Sequence, residues 1–232
     1  MKETRTKDSL VTLGGYAAIL LGITRILASG AYLLLPAEQR LSSPGPQFLP
    51  SFAQNSSVLM SVFWIETAAA LIGLLVIPAV TSRVRSVHEG WARWASTLAT
   101  IGYAVSAVGY TLSAARIPGI AKAFVAGDAA TKAALAVVWR SSPDLFGLWG
   151  YGAIGLWVLV VCLLGMRNRA FPQLHLILGI LVAANYLIIP VGLLLKVSQL
   201  FIIGSIIGIV LGPVWYIWTG LLLLRPAPQG ME

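Results

Sequence analysis

One stretch decides the fold of this chain: residues 57–80 read SVLMSVFWIETAAALIGLLVIPAV. It contains a single charged residue, Glu66, near its middle. Twenty-four residues in a helix extend about 36 Å, which is enough to cross the hydrocarbon core of a bilayer with some tilt. A carboxylate at that depth is costly. The stretch therefore predicts a membrane span whose Glu66 has a partner or a function.

The composition of the whole chain agrees with a membrane location. The 232 residues are 58% hydrophobic and 10% charged, and the mean hydropathy is +0.85. A soluble domain carries about 25% charged residues. A shortage this large indicates that most of the surface faces lipid.

The net charge of +8 does not indicate a nucleic-acid partner. The basic residues are scattered at the ends of apolar runs, where they set topology and attract anionic headgroups. We therefore expect the lipid bilayer as the partner and no nucleic acid. Cys162 is the single cysteine, so the sequence excludes an internal disulfide.

Apolar runs recur along the chain at the length of a membrane-crossing helix. They predict an all-α, polytopic membrane protein, in which residues 1–232 form a single transmembrane domain with a bundle of six transmembrane helices. The predicted spans are residues 10–35, 57–80, 91–115, 144–166, 171–195 and 200–224.

The longest connection, between the third and fourth spans, contains a further helical pattern. Residues 128–140 read DAATKAALAVVWR, with Leu135, Val138 and Trp139 on one side. This pattern predicts one short interfacial helix in the long outer loop, acting as a lid or rim. A helical linker with an ordinary Trp anchor is the alternative.

The distribution of Lys and Arg predicts the orientation. With the N-terminus inside, nine of these residues fall on the inner side and six on the outer side, while Arg25 lies within the membrane. Because positive loops stay in the cytoplasm, we expect a multi-pass protein of a bacterial inner (cell) membrane with both termini cytoplasmic.

Arg25 and Glu66 are expected to meet. Arg25 lies ten residues before the outer end of the first span and Glu66 nine after the outer start of the second, so both lie about 14–15 Å below the outer boundary. Asn185 and Ser106 fall near the same depth. The predicted polar layer consists of Arg25, Glu66, Asn185 and Ser106, with Tyr32, Tyr110 and Tyr151 nearer the outer mouth.

This layer has a functional and a structural interpretation. It can relay ions or protons, or hold an amphipathic ligand whose acidic group meets Arg25. Alternatively, Arg25 and Glu66 form a structural salt bridge that fixes which helices pack together. For Asn185 alone, interhelical hydrogen bonding is the simpler interpretation.

The remaining residue patterns point to no enzyme, cofactor or metal. No GxSxG, HExxH or GxxxxGK[ST] motif is present. His88 and His175 fall near the inner surface in different segments, where we expect headgroup-level histidines rather than metal or haem ligands. Gly204, Gly208 and Gly212 recur every four residues in the last span, which is typical of close helix packing. This face would suit a homodimer.

The end of the chain resembles a known family. The segments FPQLHLILGILVAANYLIIP (171–190) and GPVWYIWTGLLLLR (212–225) resemble the closing part of an uncharacterised bacterial integral-membrane family, catalogued as a domain of unknown function. Residues 127–137, GDAATKAALAV, resemble its outer loop. The resemblance covers the C-terminal half. It implies about six helices and a bacterial membrane, and it supplies no catalytic residues.

Three functions remain open from the sequence. The first is a non-enzymatic membrane protein that binds a lipid-like or small ligand, or docks in a larger membrane complex, around the Arg25–Glu66 pair. The second is a proton- or ion-coupled small-molecule transporter. The third is an intramembrane enzyme acting on a lipid or quinone.

Overall fold

The computed structural model describes residues 2–41, 43–139, 144, 147–195 and 197–225. Within these ranges the chain is helical and contains no strand. Its helices are α1 (Lys2–Leu33), α2 (Gly45–Gln54), α3 (Ser57–Val84), α4 (Glu89–Ala126), α5 (Ala129–Val138), α6 (Ile154–Asn168), α7 (Gln173–Leu194) and α8 (Ser198–Leu224). A 3-10 turn, Ala37–Gln39, precedes α2, and a π-helical turn, Leu148–Ala153, leads into α6.

Six helices of the described chain are long and apolar enough to cross a membrane, as the sequence predicts. They are α1, α3, α4, the π-helical turn with α6, α7 and α8. Each packs on the next along the chain, and α8 returns to pack on α1. The six spans therefore form a closed ring, with α3 also touching α6 and α8 across the interior.

The third span is much longer than predicted. The sequence places its end at Ala115, before the charge of Arg116, but α4 continues to Ala126. Ile117, Ala121 and Phe124 recur at helical spacing and are buried, so packing continues the helix past the charge. At 38 residues α4 is about 57 Å long, so it extends beyond a bilayer core.

The short helix in the outer loop is confirmed, as α5. None of its own residues is buried, but Trp139 directly after it is buried and stacks on Phe48 of α2, with ring centroids 4.2 Å apart. The loop expected at residues 37–56 thus contains a helix that packs on α5. We call α2, α5 and the outer end of α4 the outer cap. Arg140, the predicted end of the helix, lies outside the described residues.

The fourth span begins later than residue 144. Asp144 precedes the helix, and its carboxylate accepts hydrogen bonds from the backbone N–H groups of Trp149 (3.1 Å) and Gly150 (2.6 Å). Gly147 between them has a φ of +65°, a conformation that glycine adopts without strain. The acid satisfies free N–H groups at the positive end of the helix.

Two hydrophobic cores fill the molecule, one in the bundle and one under the outer cap. The bundle core includes Ala18, Leu21, Ala70 and Tyr103, whereas the core under the cap includes Leu35, Leu59, Phe63, Ile117, Phe48 and Trp139. Arg25, Glu66 and Tyr110 fall between the two along α1, α3 and α4. A polar layer therefore separates the cores.

Candidate functional site

Arg25 and Glu66 form an ion pair between α1 and α3, as the sequence predicts. The Arg25 guanidinium donates from its Nη1 to Glu66 Oε2. The two residues are level because α1 and α3 are adjacent and antiparallel in the ring. An unpaired charge at this depth costs at least about 2.5–3.5 kcal/mol, and the pairing offsets much of that cost.

Both charged residues lie at the centre of the inward face of their helix. Arg25 follows the fully buried Ala18 and Leu21 by seven and four residues, and Glu66 precedes Ala70 by four. Although these neighbours are completely buried, the side chains of Arg25 and Glu66 remain 20% and 12% exposed. The surrounding residues therefore do not cover these two inward-facing side chains completely.

Tyrosine hydroxyls surround the pair on the side of α4, α6 and α7. The hydroxyl of Tyr110 is close enough to interact with the Arg25 guanidinium and with the Tyr151 hydroxyl. Tyr151 meets Tyr186 edge to face, with ring centroids 5.9 Å apart. The charges of Arg25 and Glu66 are close enough to interact with the Tyr186 hydroxyl. Five of the six spans thus contribute polar groups to one level.

Asn185 lies beside these tyrosines but faces α8. Its Nδ2 is 2.9 Å from the position that a Cβ on Gly208 would occupy. Its side chain is buried, and Nδ2 has no hydrogen-bond partner in the described part of the chain. The interhelical hydrogen bond expected for Asn185 from the sequence is therefore not made by that amide nitrogen.

Ser106 and Tyr32 occupy the edges of the layer. The Ser106 hydroxyl donates to the carbonyl of Gly102 in its own helix (2.9 Å) and packs against Gly150 of the π-helical turn. The Tyr32 hydroxyl accepts from the backbone N–H of Leu41 (3.0 Å), which ties α1 to the loop before the outer cap. Tyr32 therefore serves the outer cap.

Sequence reasoning missed the inner boundary of the site. Tyr103 and Tyr216 are buried and share a hydrogen bond of 2.6 Å between α4 and α8. The Tyr103 ring packs against Gly73 of α3, where no side chain blocks it. The signal was present, because Tyr103 lies seven residues before Tyr110 and so shares its helix face.

The prediction of a headgroup-level histidine is wrong for His175. His175 is 1% exposed, and its Nε2 is 2.9 Å from the Thr219 hydroxyl of α8. Its ring stacks on Trp215 and contacts Phe171 and Trp218. We call this group the histidine cluster. His88 instead begins α4, where its Nδ1 accepts from the N–H of Trp91 (3.3 Å).

The glycine face of α8 is used within the chain. Gly204 packs against Ile189, Gly208 against Asn185 and Gly212 against Tyr186, all on α7. The face that the sequence suggests for a homodimer therefore holds α7. A homodimer itself stays a prediction and would need another surface.

The ring of six spans with its interior polar layer defines a helical, membrane-embedded protein. Comparison with family models shows which protein family the chain belongs to. The model described as Domain of unknown function (DUF4386) matches residues 16–225, and the chain belongs to this family. The resemblance seen in the C-terminal half thus extends over nearly the whole chain. No curated protein and no solved structure matches the chain.

Proposed function

We propose that this protein is a non-enzymatic, multi-pass protein of the bacterial cell membrane that holds a small lipophilic ligand beside the Arg25–Glu66 pair. One observation carries the proposal: both charged side chains point into the bundle and yet stay partly accessible among fully buried neighbours. A pair that only fastened two helices would be packed over by its surroundings. The residues proposed to bind or position the ligand are Arg25, Glu66, Tyr110, Tyr151 and Asn185, with Ser106 and Tyr32 at the edges.

The proposed orientation puts both termini in the cytoplasm and the outer cap on the far side. The excess of Lys and Arg on the inner side supports it. A reporter that is active only in the cytoplasm, fused after residue 232, should be active. The same reporter inserted in the loop at residue 42 should be inactive.

The test of ligand holding compares the wild type with a variant that loses the pair but keeps a neutral interior, Arg25→Met with Glu66→Leu. Each protein is purified in dodecyl maltoside, and the bound lipophilic molecules are extracted and identified by mass spectrometry. We expect one species close to equimolar with the wild type and absent from the double variant. The matched control is Gly30→Ala, because a Cβ at Gly30 meets no atom within 4 Å among the described residues.

The proposal fails if the wild type and the double variant retain the same molecules in the same amounts. In that case Arg25 and Glu66 form a structural pair only. Melting temperatures measured on the same samples show whether the double variant is folded.

A proton-coupled transporter is the second candidate, and one observation favours it. Polar contacts continue inward from the polar layer. The hydroxyls of Tyr103 and Tyr216 share a hydrogen bond, and the Thr81 hydroxyl lies 2.7 Å from the Ser96 hydroxyl. Trp157 Nε1 donates to Thr81 Oγ1 at 3.3 Å. In proteoliposomes with a pH-sensitive dye, transport predicts proton movement that Glu66→Gln abolishes without unfolding the protein. No difference from empty liposomes would remove this candidate.

A further inference from the structure

Two nitrogen donors at the level of the polar layer lack an acceptor. Arg25 Nε and Asn185 Nδ2 are both buried, and neither has a hydrogen-bond partner among the described residues. An arginine Nε–H and an amide NH2 can donate but cannot accept. A buried donor without an acceptor is unfavourable. Whatever fills the site must therefore supply acceptor oxygen atoms.

The packing of α1 on α8 brings these donors to one depth. A Cβ on Gly22 would stand 2.8 Å from the carbonyl oxygen of Pro213, so these two positions are level. Arg25 is almost one turn outward from Gly22 on α1. Gly208, which the Asn185 amide faces, is five residues, about 1.4 turns, outward from Pro213 on α8. The guanidinium and the amide therefore lie at similar depth.

Gly208 allows the Asn185 amide to approach α8 closely. A Cβ built there would stand 2.9 Å from Asn185 Nδ2 and 3.9 Å from Tyr186 Cε1. Outside the backbone of α8, the described residues place no other atom within 4 Å of that point. The Asn185 amide therefore packs directly against the backbone of α8 at Gly208, and a side chain at this position would displace it.

The charge of the site indicates a neutral ligand. Glu66 already balances Arg25, so an anionic ligand would add an uncompensated negative charge at a depth where such a charge is costly. This differs from the acidic ligand expected from the sequence. Resting on the proposed function, we infer that the site takes an uncharged amphipathic molecule that presents a carbonyl oxygen to Asn185 and Arg25.

The outer cap indicates that this ligand comes from the bilayer. The core under the cap lies outward of the layer, with Phe63 on α3, Ala114 on α4 and Leu35 just after the end of α1. This apolar plug separates the site from the water outside. Two kinds of membrane molecule carry the required carbonyl, namely quinones and the acyl esters of glycerolipids.

The test titrates four probes into the full-length protein in dodecyl maltoside, a detergent without a carbonyl group, and measures dissociation constants by native mass spectrometry. Decylubiquinone and dioctanoylglycerol are the neutral carbonyl probes, decyl phosphate is the anionic probe, and decylbenzene is the apolar control. We expect one neutral carbonyl probe to bind the wild type at a 1:1 ratio. Which of the two binds identifies the source as quinone or ester.

Two variants test the contact with Asn185. Asn185→Leu removes the donor, and Gly208→Ala keeps Asn185 but displaces its amide from its present position. Because one hydrogen bond to an uncharged acceptor is lost, each should weaken binding of the neutral probe about tenfold. Gly30→Ala should bind as the wild type does, and melting temperatures of all variants show that they are folded.

The inference is overturned if decyl phosphate binds best, or if both Asn185→Leu and Gly208→Ala bind the neutral probe as the wild type does. If a molecule copurifies with the pair intact but neither neutral probe binds, the proposed function stands and this inference falls. If nothing copurifies and no probe binds, both fall.

Discussion

The polar layer around Arg25–Glu66 and the histidine cluster are two polar groupings inside the same bundle, and they differ in the room around them. Arg25 and Glu66 keep 20% and 12% of their side chains accessible. In contrast, His175, Trp215 and Thr219 are almost completely buried. Both groupings contain donors or acceptors without a partner in the described chain, since His175 Nδ1 and Trp215 Nε1 are also unpaired.

The difference shows that an unpaired polar atom is not enough to indicate a site. A Cβ on Gly179, beside the histidine cluster, would stand 2.3 Å from Cys162 Sγ and 2.6 Å from Trp215 Nε1, so the helices pack tightly there. At Gly208 a Cβ would closely approach only the end of the Asn185 side chain, at 2.9 Å, with Tyr186 Cε1 3.9 Å away. Among the described residues, partly accessible side chains, a charge pair and unpaired donors coincide in the polar layer around Arg25–Glu66.

The largest expected effect comes from breaking the ion pair on one side. Glu66→Leu leaves Arg25 as a buried, unpaired charge, and we expect a loss of about 3–5 kcal/mol in the free energy of unfolding. Adding Arg25→Met should restore most of the loss, because a neutral pair replaces the unpaired charge. Unfolding by sodium dodecyl sulfate, followed by circular dichroism, measures both. Failure of the second change to restore stability would show that the two side chains act independently.

Glycine-to-alanine changes compare the room in the two groupings directly. Gly179→Ala forces a methyl group against Cys162 and Trp215, and overpacking of this kind costs about 1–3 kcal/mol. Gly208→Ala displaces only the end of the Asn185 side chain, so its cost should be well under that of Gly179→Ala. The same unfolding titration measures both variants, with Gly30→Ala as the neutral control. Equal losses of unfolding free energy in Gly179→Ala and Gly208→Ala would show that the two groupings are packed equally tightly.

A smaller effect is expected from the hydrogen bond of the histidine cluster. Thr219→Val keeps the shape of the side chain but leaves His175 Nε2 without its partner, which costs about 1–2 kcal/mol of stability. Because this cluster holds no ligand in our interpretation, the molecules that copurify with the protein should not change. Loss of a copurifying species in Thr219→Val would show that the ligand depends on the histidine cluster, which would contradict a site at the polar layer.

Much of this arrangement could be predicted from sequence. Residue spacing alone placed Arg25 level with Glu66, because antiparallel helices of known rise fix depth. Span length also predicted six crossings. The position of His175 could not be predicted, because the depth of a polar residue near a span end depends on its packing partners, here Trp215 and Thr219 of α8.

The packing of the outer cap also could not be predicted from the sequence patterns. Its core joins Phe48, Phe63, Phe124 and Trp139, which are far apart in the chain. Local periodicity predicts a helix at residues 129–138 but not what covers its apolar side. The end of the third span was predicted too early because Arg116 ends the apolar run. Hydropathy cannot indicate that the helix continues beyond the bilayer and packs on protein.

The smallest expected effect concerns the start of α5 in the outer cap. Asp128 accepts from the backbone N–H of Thr131 (2.8 Å) and also interacts with the Thr131 side chain. These hydrogen bonds hold the pKa of Asp128 below its ordinary value of 3.8. Because the folded pKa is lowered, the carboxylate stabilises the helix at any pH above the ordinary value. That contribution is lost as the pH falls through the folded pKa.

Hydrogen exchange of the α5 amides, corrected for intrinsic rates, should therefore show less protection at about pH 3 than at neutral pH, near the acid titration range. Asp128→Asn is the matched control, since asparagine also begins helices well but does not titrate there. If α5 loses the same protection in Asp128→Asn on acidification, another group controls the helix start. The histidine cluster, which is separated from the outer cap by the bundle core, should keep its amide protection in both proteins. A change confined to α5 would show that the outer cap can loosen while the bundle below it stays intact. The two hydrophobic cores on either side of the polar layer would then respond separately to acid.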